Sequence, residues 1–408
     1  KNWYTDIVQL MRAAPVLLPG QWPRIALDKR AARRIRYKQA PDDPRNRLYA
    51  SREGANRAAP SEALAAMVAK LDELPAPIPA IFMIGITTGI AGLTLGGGLG
   101  WLMPKYGLAA DNLVSVELVS ASGEVLRVSE EGDPDLFWAL RGGGGNFGVA
   151  TTFEYRLHPL TDVTAGLVAY PFDAARDVLR FFRDFTAGPV SDDLMVLGAL
   201  VHAPDGSGAK LAAVAVCHTG SKEEADRELE PLLGFGSPAL TAVGPMPYPD
   251  ANTLLDAGYP KGALNYWKSG FLGGLDDEAI DAIVEQFSST PSTMTAIGIE
   301  HFHGAVTRVG VTDTAVPHRQ PGHNMFMTSV WMDPEATAAN VAWTREAFSA
   351  IRPHLADRRW LSYLDDDDDD AIRSAYGPNY QRLADVKRRY DPENVFQSNH
   401  NIEPASAA

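Results

Sequence analysis

Two clusters of glycine residues lie close together in this 408-residue chain, and they place the strongest constraint on its fold. The first reads GGGLG over Gly96 to Gly100, and the second reads RGGGGNFG over Arg141 to Gly148. A run of alternating apolar residues, typical of β-strands, lies between them. Because glycine lets the backbone approach a ligand or adopt positive φ, the clusters indicate either a bound cofactor or tight turns between strands. Neither has the spacing of a P-loop or of a GxGxxG fingerprint.

The segment between the clusters predicts a β-hairpin followed by a short helix. Leu113 to Val119 predicts one strand, Ser122 and Gly123 the turn, and Val125 to Val128 the partner strand. In DPDLFWALRG, Asp133 is the predicted N-cap of a helix. Later segments such as LMVLGALVHA and DAARDVLRFFRDFTAG predict strands and amphipathic helices without a regular βαβ rhythm, which favours an α+β fold.

The order of these motifs resembles a known family. Residues Thr87 to Pro159 are similar to the second half of the FAD-binding domain in the berberine bridge enzyme group of the vanillyl-alcohol-oxidase-like flavoproteins. From Thr164 onward, LVAYPF, VGPMPYP, NYWKSGFL and EHFHGAV look like the substrate domain of bacterial members. The tail YGPNYQRLADVKRRYDPENVFQSNHNI looks like the terminal element that folds back onto the flavin domain. The resemblance implies an FAD-dependent oxidoreductase.

The resemblance also implies a domain organisation. We expect an α+β chain with a PCMH-type FAD-binding domain, represented by its second half and a C-terminal return element, and an α+β substrate domain built on an antiparallel sheet. The expected parts are an atypical N-terminal segment without family match at 1–86, the second flavin half at 87–160, the substrate-binding domain at 161–355 and the return element at 356–408.

The N-terminal segment differs from the rest in charge. Residues 1–86 contain 14 Lys and Arg against 8 Asp and Glu, a net charge of +6, so the other residues carry 23 minus 43, or −20. A shift of this size marks a domain boundary or a foreign segment. The family opens with another flavin-binding half, but residues 1–86 contain no RGGGH-like loop. Either the first flavin-binding half is lost or scrambled in this chain, or a divergent sequence takes its structural role.

For the flavin, the resemblance implies contacts from the first glycine cluster and from two later segments. Backbone N–H groups in such turns can hold the phosphates and ring at close range. The residues matched to the family's cofactor contacts are Thr88, Gly89, Gly92, Gly96, Gly97, Gly148, Val149, and Asn399 or Asn401. The family links its flavin to an earlier histidine and, in some members, to a cysteine that would fall near Gly85. Since the first histidine here is His158, we expect FAD to bind without a covalent bond.

Catalysis by such a flavin needs hydride removal at N5 and a base that takes the hydroxyl proton. The resemblance implies that a tyrosine with a lowered pKa, in a YxN(Y/F) element, is this base. The matching segment is WLSYL, with Trp360 at the tyrosine position and Ser362 at the asparagine position. An indole cannot act as a base, so Tyr363 is the remaining catalytic candidate. Neighbours along a strand face opposite sides, so Tyr363 can serve only if its side chain reaches the same cleft.

Several aromatic and histidine side chains are candidates for the substrate cleft, with aromatic core as the alternative for the aromatic ones. They are Tyr170, Tyr266, Trp267, His301 and His303. The two histidines lie two apart in a predicted strand and so face the same side, which is compatible with a metal or a substrate carboxylate. Because no third spaced ligand is present, a hydrogen-bonded pair that lines the cleft is favoured. The expected function is oxidation of a small hydroxylated or amine-containing substrate, with hydride transfer to flavin N5 and reoxidation by O2. The alternative is a flavin-free, inactive remnant or binding protein of the same family.

Composition excludes several other classes. The net charge of −14 argues against nucleic acid or anionic membrane as a partner. No apolar run reaches the roughly 18–20 residues that span a bilayer. The single Cys217 excludes an internal disulfide, and the acidic run Asp365 to Asp370 lacks the spacing of a calcium loop. We therefore expect a cytoplasmic protein without a metal, whose partners are a small substrate and O2.

Overall fold

The computed structural model describes residues 89–160, 162–364, 371–397 and 400–406. The N-terminal segment 1–86, Thr88, the acidic run 365–370 and Asn399 lie outside the described residues. Within the described ranges, the chain forms two antiparallel sheets flanked by helices. No helix in those ranges is long and apolar enough to cross a membrane.

The helices and strands follow one another along the chain without a βαβ repeat. The helices are α1 Ile90–Leu95, α2 Met103–Tyr106, α3 Pro134–Leu140, α4 Ala175–Ala187, α5 Lys222–Leu233, α6 Tyr248–Ala251, α7 Asp277–Phe287, α8 Thr337–Ile351, α9 Ala371–Tyr376 and α10 Tyr380–Tyr390. The strands are β1 Leu113–Val119, β2 Val125–Ser129, β3 Val149–Tyr155, β4 Asp162–Pro171, β5 Leu194–His202, β6 Lys210–His218, β7 Leu240–Pro247, β8 Leu264–Phe271, β9 Ala296–Phe302 and β10 Gly322–Trp331.

The smaller sheet has the strand order β2-β1-β3 and contains the segment between the glycine clusters. The turn between β1 and β2 closes through a hydrogen bond of 2.9 Å from Ser120 N to Glu124 O. Gly123 in this turn has a φ of 83°, which residues with a Cβ rarely adopt. Asp133 accepts a hydrogen bond from Leu136 N and so caps α3. The predicted hairpin and capped helix are confirmed.

The larger sheet has the strand order β7-β4-β6-β5-β9-β10-β8, and alternation along its strands produces two different faces. On one side, Met325 and Met327 of β10 pack with α4, α5, α7 and α8, and we call this side the helix face. Phe326 lies on the other side, which we call the cleft face, in a core that includes Trp101 of the glycine-rich segment. Phe182 of α4 is fully buried, and burying such a side chain contributes roughly 1.5–3 kcal/mol.

The C-terminal element returns to the smaller sheet, as the sequence predicts. The guanidinium of Arg382 on α10 lies 4.1 Å from the ring centre of Trp138 on α3. At the end of the same helix, the Tyr390 hydroxyl donates a hydrogen bond to Asp133. The two helices therefore pack together, and the predicted α+β fold with an antiparallel substrate sheet is confirmed.

Two of the predicted cleft aromatics lie on the helix face instead. Tyr170 donates a hydrogen bond of 3.2 Å to Phe235 O and is buried in the core beneath the helices. The Tyr266 hydroxyl accepts a hydrogen bond of 3.1 Å from Arg345 Nε of α8. Neighbours along a strand alternate, so Trp267 points to the cleft face. The prediction that Tyr170 and Tyr266 line the cleft is wrong for this reason.

The histidine pair also lies on the helix side. The rings of His301 and His303 are stacked with centres 4.3 Å apart, and His323 lies 5.4 Å from His301. Nε2 of His323 is 2.9 Å from Thr186 Oγ1 of α4, and Nε2 of His303 is 3.2 Å from Ser191 O. The prediction that His301 and His303 line the cleft is therefore wrong, because alternation in β9 turns His301 towards α4, and His303, just after the strand, is stacked on His301.

Candidate active site

Tyr363 and Trp360 lie on the same side of a short 3-10 helix rather than in a strand. The helix spans Leu361–Tyr363, and Tyr363 N donates a hydrogen bond of 3.1 Å to Trp360 O. With three residues per turn, residues three apart are eclipsed. Both side chains therefore pack into the core on the cleft face. Tyr363 therefore faces the same side of the larger sheet as Trp360, and its role in catalysis stays a prediction.

Tyr363 contacts a buried carboxyl group on the larger sheet. Glu300 lies in β9, points to the cleft face and is 1% exposed. The Tyr363 hydroxyl donates to its Oε1 at 2.9 Å, and Asn324 Nδ2 of β10 donates to its Oε2 at 2.7 Å. Glu300 and Asn324 are directly paired across the two strands. Each carboxyl oxygen thus has its own donor.

Burial controls the acid–base properties of this pair. It raises the pKa of Glu300 to about 7, although both hydrogen bonds act to lower it. The pKa of Tyr363 is raised well above its ordinary value, first by burial and then by the charge of Glu300. The lowered pKa that the resemblance implies belongs to a tyrosine at the position of Trp360, and the pKa of Tyr363 is raised instead. Near neutral pH, Glu300 rather than the phenol is the group that can gain or lose a proton.

Three aromatic rings lie beside this pair on the cleft face and form a cluster with Tyr363. The ring of Trp267 has its centre 5.5 Å from Tyr363, 5.7 Å from Tyr259 and 6.2 Å from Phe326. Trp267, Tyr259 and Tyr363 are half-buried, whereas Glu300 is buried. Part of the ring surface is therefore exposed on this face, while the phenol oxygen of Tyr363 and the carboxyl group of Glu300 are buried. Aromatic faces near a carboxyl group attract cations.

The 3-10 helix also connects the cleft to the first glycine cluster. A Cβ placed on Gly96 would lie 2.7 Å from Ser362 Oγ, and one on Gly97 would lie 3.2 Å from the Trp360 ring. Gly97 has a φ of 106°, a conformation that disfavours any other residue. These two glycines are therefore explained by packing within the chain. Tyr363 contacts the sheet while its neighbours contact the glycine-rich segment.

The remaining glycine positions predicted to hold the cofactor are partly open and partly covered. Gly89 is half-exposed and Gly92 is exposed, with no described atom within 4 Å of the Cβ position of Gly92. This open backbone fits the close approach of a ligand. Gly148 is covered, because a Cβ there would lie 2.6 Å from Val119 O, and Val149 pairs with Val119 in the smaller sheet.

The terminal segment lies beside the second glycine cluster. Asn146 donates from Nδ2 to His400 O at 3.1 Å and accepts from Ile402 N at 3.0 Å. Between these two residues, Oδ1 of Asn401 is buried and has no hydrogen-bond partner in the described part of the chain. Buried polar atoms are nearly always paired, so this one fits a ligand contact. The contacts of the cofactor with Asn401 and with the glycine positions stay predictions.

Comparison with protein families matches both the glycine-rich segment and the return element. Residues 360–403 match the family "Berberine and berberine like", and residues 50–129 match the "FAD binding domain" family. The chain belongs to the berberine bridge enzyme-like FAD-linked oxidoreductases. It is therefore an oxidoreductase by family, with FAD as its cofactor. The FAD-binding match begins at residue 50, so it includes part of the segment expected to match no family. The four domain boundaries stay predictions.

Relatives of known structure or name support this assignment. The (R)-6-hydroxynicotine oxidase of Paenarthrobacter nicotinovorans is 29% identical over 334 residues, which cover 78% of this chain and 70% of that enzyme. An FAD-linked oxidoreductase of Dictyostelium discoideum is 29% identical, with 78% and 69% covered. The structure of 6-hydroxy-D-nicotine oxidase from Arthrobacter nicotinovorans matches with a TM-score of 0.71 at 26% identity, covering 80% of this chain and 74% of that one. Berberine bridge enzyme from Eschscholzia californica shares the fold, with a TM-score of 0.68 at 23% identity and coverage of 80% and 73%.

The described residues fit FAD at some of the predicted positions. Gly89 and Gly92 offer open backbone, and Asn401 offers a buried oxygen without a described partner. At Gly96 and Gly97, side chains of this chain already fill the adjacent space. Binding of FAD without a covalent bond stays a prediction.

Glu300 and Asn324 are absent from the sequence-based set of site residues. Both lie in strands whose residues are almost all buried. Glu300 lies between Ile299 and His301 in the segment AIGIEHF. Charged residues are almost never fully buried without a partner or a function. A single acidic residue within a predicted apolar strand could therefore have indicated Glu300.

Proposed function

We propose that this chain oxidises a small organic substrate at a carbon atom that bears an amine or a hydroxyl group. Bound FAD supplies the acceptor of the hydride at N5, and O2 takes the electrons from it. The observation that carries the proposal is the 2.9 Å hydrogen bond from Tyr363 to Glu300 at the edge of an aromatic cleft. The similarity to (R)-6-hydroxynicotine oxidase, whose name includes an amine-bearing substrate, supports it.

The Tyr363–Glu300 pair serves as the proton acceptor. The substrate gives the proton of its O–H or N–H group to the Tyr363 hydroxyl oxygen, while Tyr363 gives its own proton to Oε1 of Glu300. The electron pair left on the substrate oxygen or nitrogen forms the C=O or C=N bond as the hydride leaves the carbon. Tyr363 is neutral before and after this transfer, which agrees with its raised pKa. Glu300 must be ionised at the start, so the rate should rise with pH through about 7.

The ring cluster favours an amine within this substrate class. Trp267, Tyr259 and Tyr363 present half-buried aromatic surface next to a carboxyl group that carries a negative charge above its pKa. Aromatic faces and a carboxylate both attract a cation, by roughly 0.5–2 kcal/mol for each ring. A protonated or iminium nitrogen therefore gains more from this cleft than a neutral hydroxyl group does.

Anaerobic reduction of the FAD-loaded protein tests the proposal, with N-methylbenzylamine and benzyl alcohol as probes. Glu300→Gln and Tyr363→Phe should each slow flavin bleaching by roughly 100-fold or more, since general acid–base catalysis contributes about 10²–10⁴. The matched control is Tyr170→Phe, which removes a hydroxyl group on the helix face and should keep the parent rate.

The outcomes separate the parts of the proposal. Equal bleaching rates for Glu300→Gln and the parent protein would exclude Glu300 from the reaction. Protein that takes up no FAD would contradict the whole proposal and support a flavin-free binding protein. If the bleached flavin does not recover its absorbance when O2 is admitted, only the proposed role of O2 is contradicted, and the role of the Tyr363–Glu300 pair is not.

A further inference from the structure

Asn324 is the second donor to Glu300, and it is 0% exposed. Its Nδ2 donates to Oε2 at 2.7 Å. Its Oδ1 has no hydrogen-bond partner among residues that the structure describes. The contact with Glu300 is thus the side-chain hydrogen bond that orients the Asn324 amide. A buried acceptor without a partner, such as Oδ1 of Asn324, costs about 1–3 kcal/mol.

The position of Asn324 is held by the sheet. β10 is paired on both sides, and Asn324 is opposite Glu300 on β9 and opposite Phe271 on β8. The backbone of a strand bonded on both edges has little freedom to move its side chain away from a neighbour. Among the residues that the structure describes, the other titratable groups that face Glu300 are the hydroxyls of Tyr363 and Tyr259. Neither of them contacts Oε2, so that oxygen depends on Asn324.

We propose that Asn324 is a positioning residue that keeps the proton of protonated Glu300 on Oε1, the oxygen that faces Tyr363. The amide nitrogen of Asn324 can donate a hydrogen bond but cannot accept one. While this nitrogen faces Oε2, a proton on Oε2 would point at the N–H group of Asn324, with no acceptor for it. Oε2 therefore stays an acceptor in both protonation states. The proton that enters through Tyr363 remains 2.9 Å from the oxygen that delivered it, and it can leave by the same route. This inference rests on the proposed role of the Tyr363–Glu300 pair in catalysis.

Infrared difference spectra of the FAD-loaded protein above and below pH 7, without substrate, test which oxygen carries the proton. The carboxylic acid C=O band that appears on acidification and is absent in Glu300→Gln belongs to Glu300. If Oε2 is the carbonyl oxygen, Asn324→Leu removes its hydrogen bond and moves this band to higher wavenumber. Tyr363→Phe removes only the partner of the O–H group and should move the band much less.

The reverse pattern, a band that moves in Tyr363→Phe and stays in place in Asn324→Leu, would put the proton on Oε2 and overturn the inference. So would the absence of any Glu300 band. Asn324→Asp is the second variant because it has nearly the same shape. Two carboxyl groups would then share one proton, and the band should appear at a pH higher by about one unit or more. These spectra need no turnover, so they stand apart from the rate measurements that test the proposed function.

Discussion

At the scale of single residues, the position of one ring in the candidate site depends on a glycine, which has no side chain. Gly298 lies two residues before Glu300 on the same face of β9, and it is paired with Phe326 of β10. A Cβ on Gly298 would lie 2.2 Å from the Phe326 ring. The ring therefore occupies the space above Gly298, with its centre 5.4 Å from that of Tyr363. Through this contact, a glycine sets the position of a ring in the candidate site.

Gly298→Ala should displace the Phe326 ring and lower the free energy of unfolding by about 1–3 kcal/mol, the range for overpacked cores. Urea denaturation measures this change, and Trp267, 6.2 Å from Phe326, should report the displacement by fluorescence. Gly244→Ala in the edge strand β7 is the control, since no described atom lies within 4 Å of its Cβ position. It should change stability by less than about 0.5 kcal/mol. An unchanged midpoint for Gly298→Ala would contradict the packing argument.

The sequence identifies some of these residues and misses others for a physical reason. Motif order placed Trp360 and Tyr363 at the site, since their element is local and matches a family. Glu300 and Asn324 meet only because β9 and β10 pair in one register, which no local pattern specifies. The sequence predicts both Tyr266 and Trp267 in the cleft, but alternation along β8 lets only one of two neighbouring side chains face it.

At the scale of elements, α10 is attached to the second glycine cluster by a buried ion pair. Lys387 and Asp391 are both 0% exposed, with Nζ and Oδ2 2.6 Å apart. Lys387 also donates to Asn146 O at 2.7 Å, and Asp391 accepts from Val395 N at 2.7 Å. The charges therefore join the return helix, the glycine-rich loop and the terminal segment. The sequence predicts that the C-terminal element folds back onto the flavin domain. It does not predict the Lys387–Asp391 ion pair, because the spacing of charged residues along a helix does not show which of them are buried.

Lys387→Met should lower the free energy of unfolding by about 3–5 kcal/mol, because it leaves Asp391 buried without its countercharge. Lys222→Met is a matched control: Lys222 also forms an ion pair with the residue four positions later, Asp226, but both side chains are exposed. Its loss should change stability by less than about 1 kcal/mol. Thermal and urea unfolding measure both variants. Similar losses in the two would mean that burial does not strengthen the Lys387 pair.

At the scale of the whole molecule, the loop before β10 joins the two sheets. Arg319, 2% exposed, donates to both carboxyl oxygens of Asp111, at 2.7 and 2.8 Å, across 208 residues of sequence. In the same loop, Val316 would lie 2.9 Å from a Cβ on Gly97. The fold class could be predicted from motif order and periodicity. The contacts of Arg319 with Asp111 and of Val316 with Gly97 could not be predicted, because they join residues that are distant in the sequence. The burial of the charged pair also depends on the complete fold.

The stability of the whole molecule should fall as the pH drops below about 6.5, because of the stacked histidines on the helix face. Burial, and then the nearby His303, lowers the pKa of His301 to about 3, and burial lowers that of His323 to about 4, from an ordinary value of 6.5. Between pH 6.5 and these values, the unfolded chain binds protons that the folded chain does not. Each of the two should therefore lower the free energy of unfolding by about 1.4 kcal/mol per pH unit.

His301→Gln separates this effect from other groups that titrate in the same range. Glu300, whose pKa is raised to about 7, acts with the opposite sign, because its protonation stabilises the fold as the pH falls, but it is present in both proteins. Urea unfolding at about pH 7 and about pH 5 should show a smaller loss in His301→Gln than in the parent. Equal losses in the parent and His301→Gln would assign the acid sensitivity to groups outside the stack.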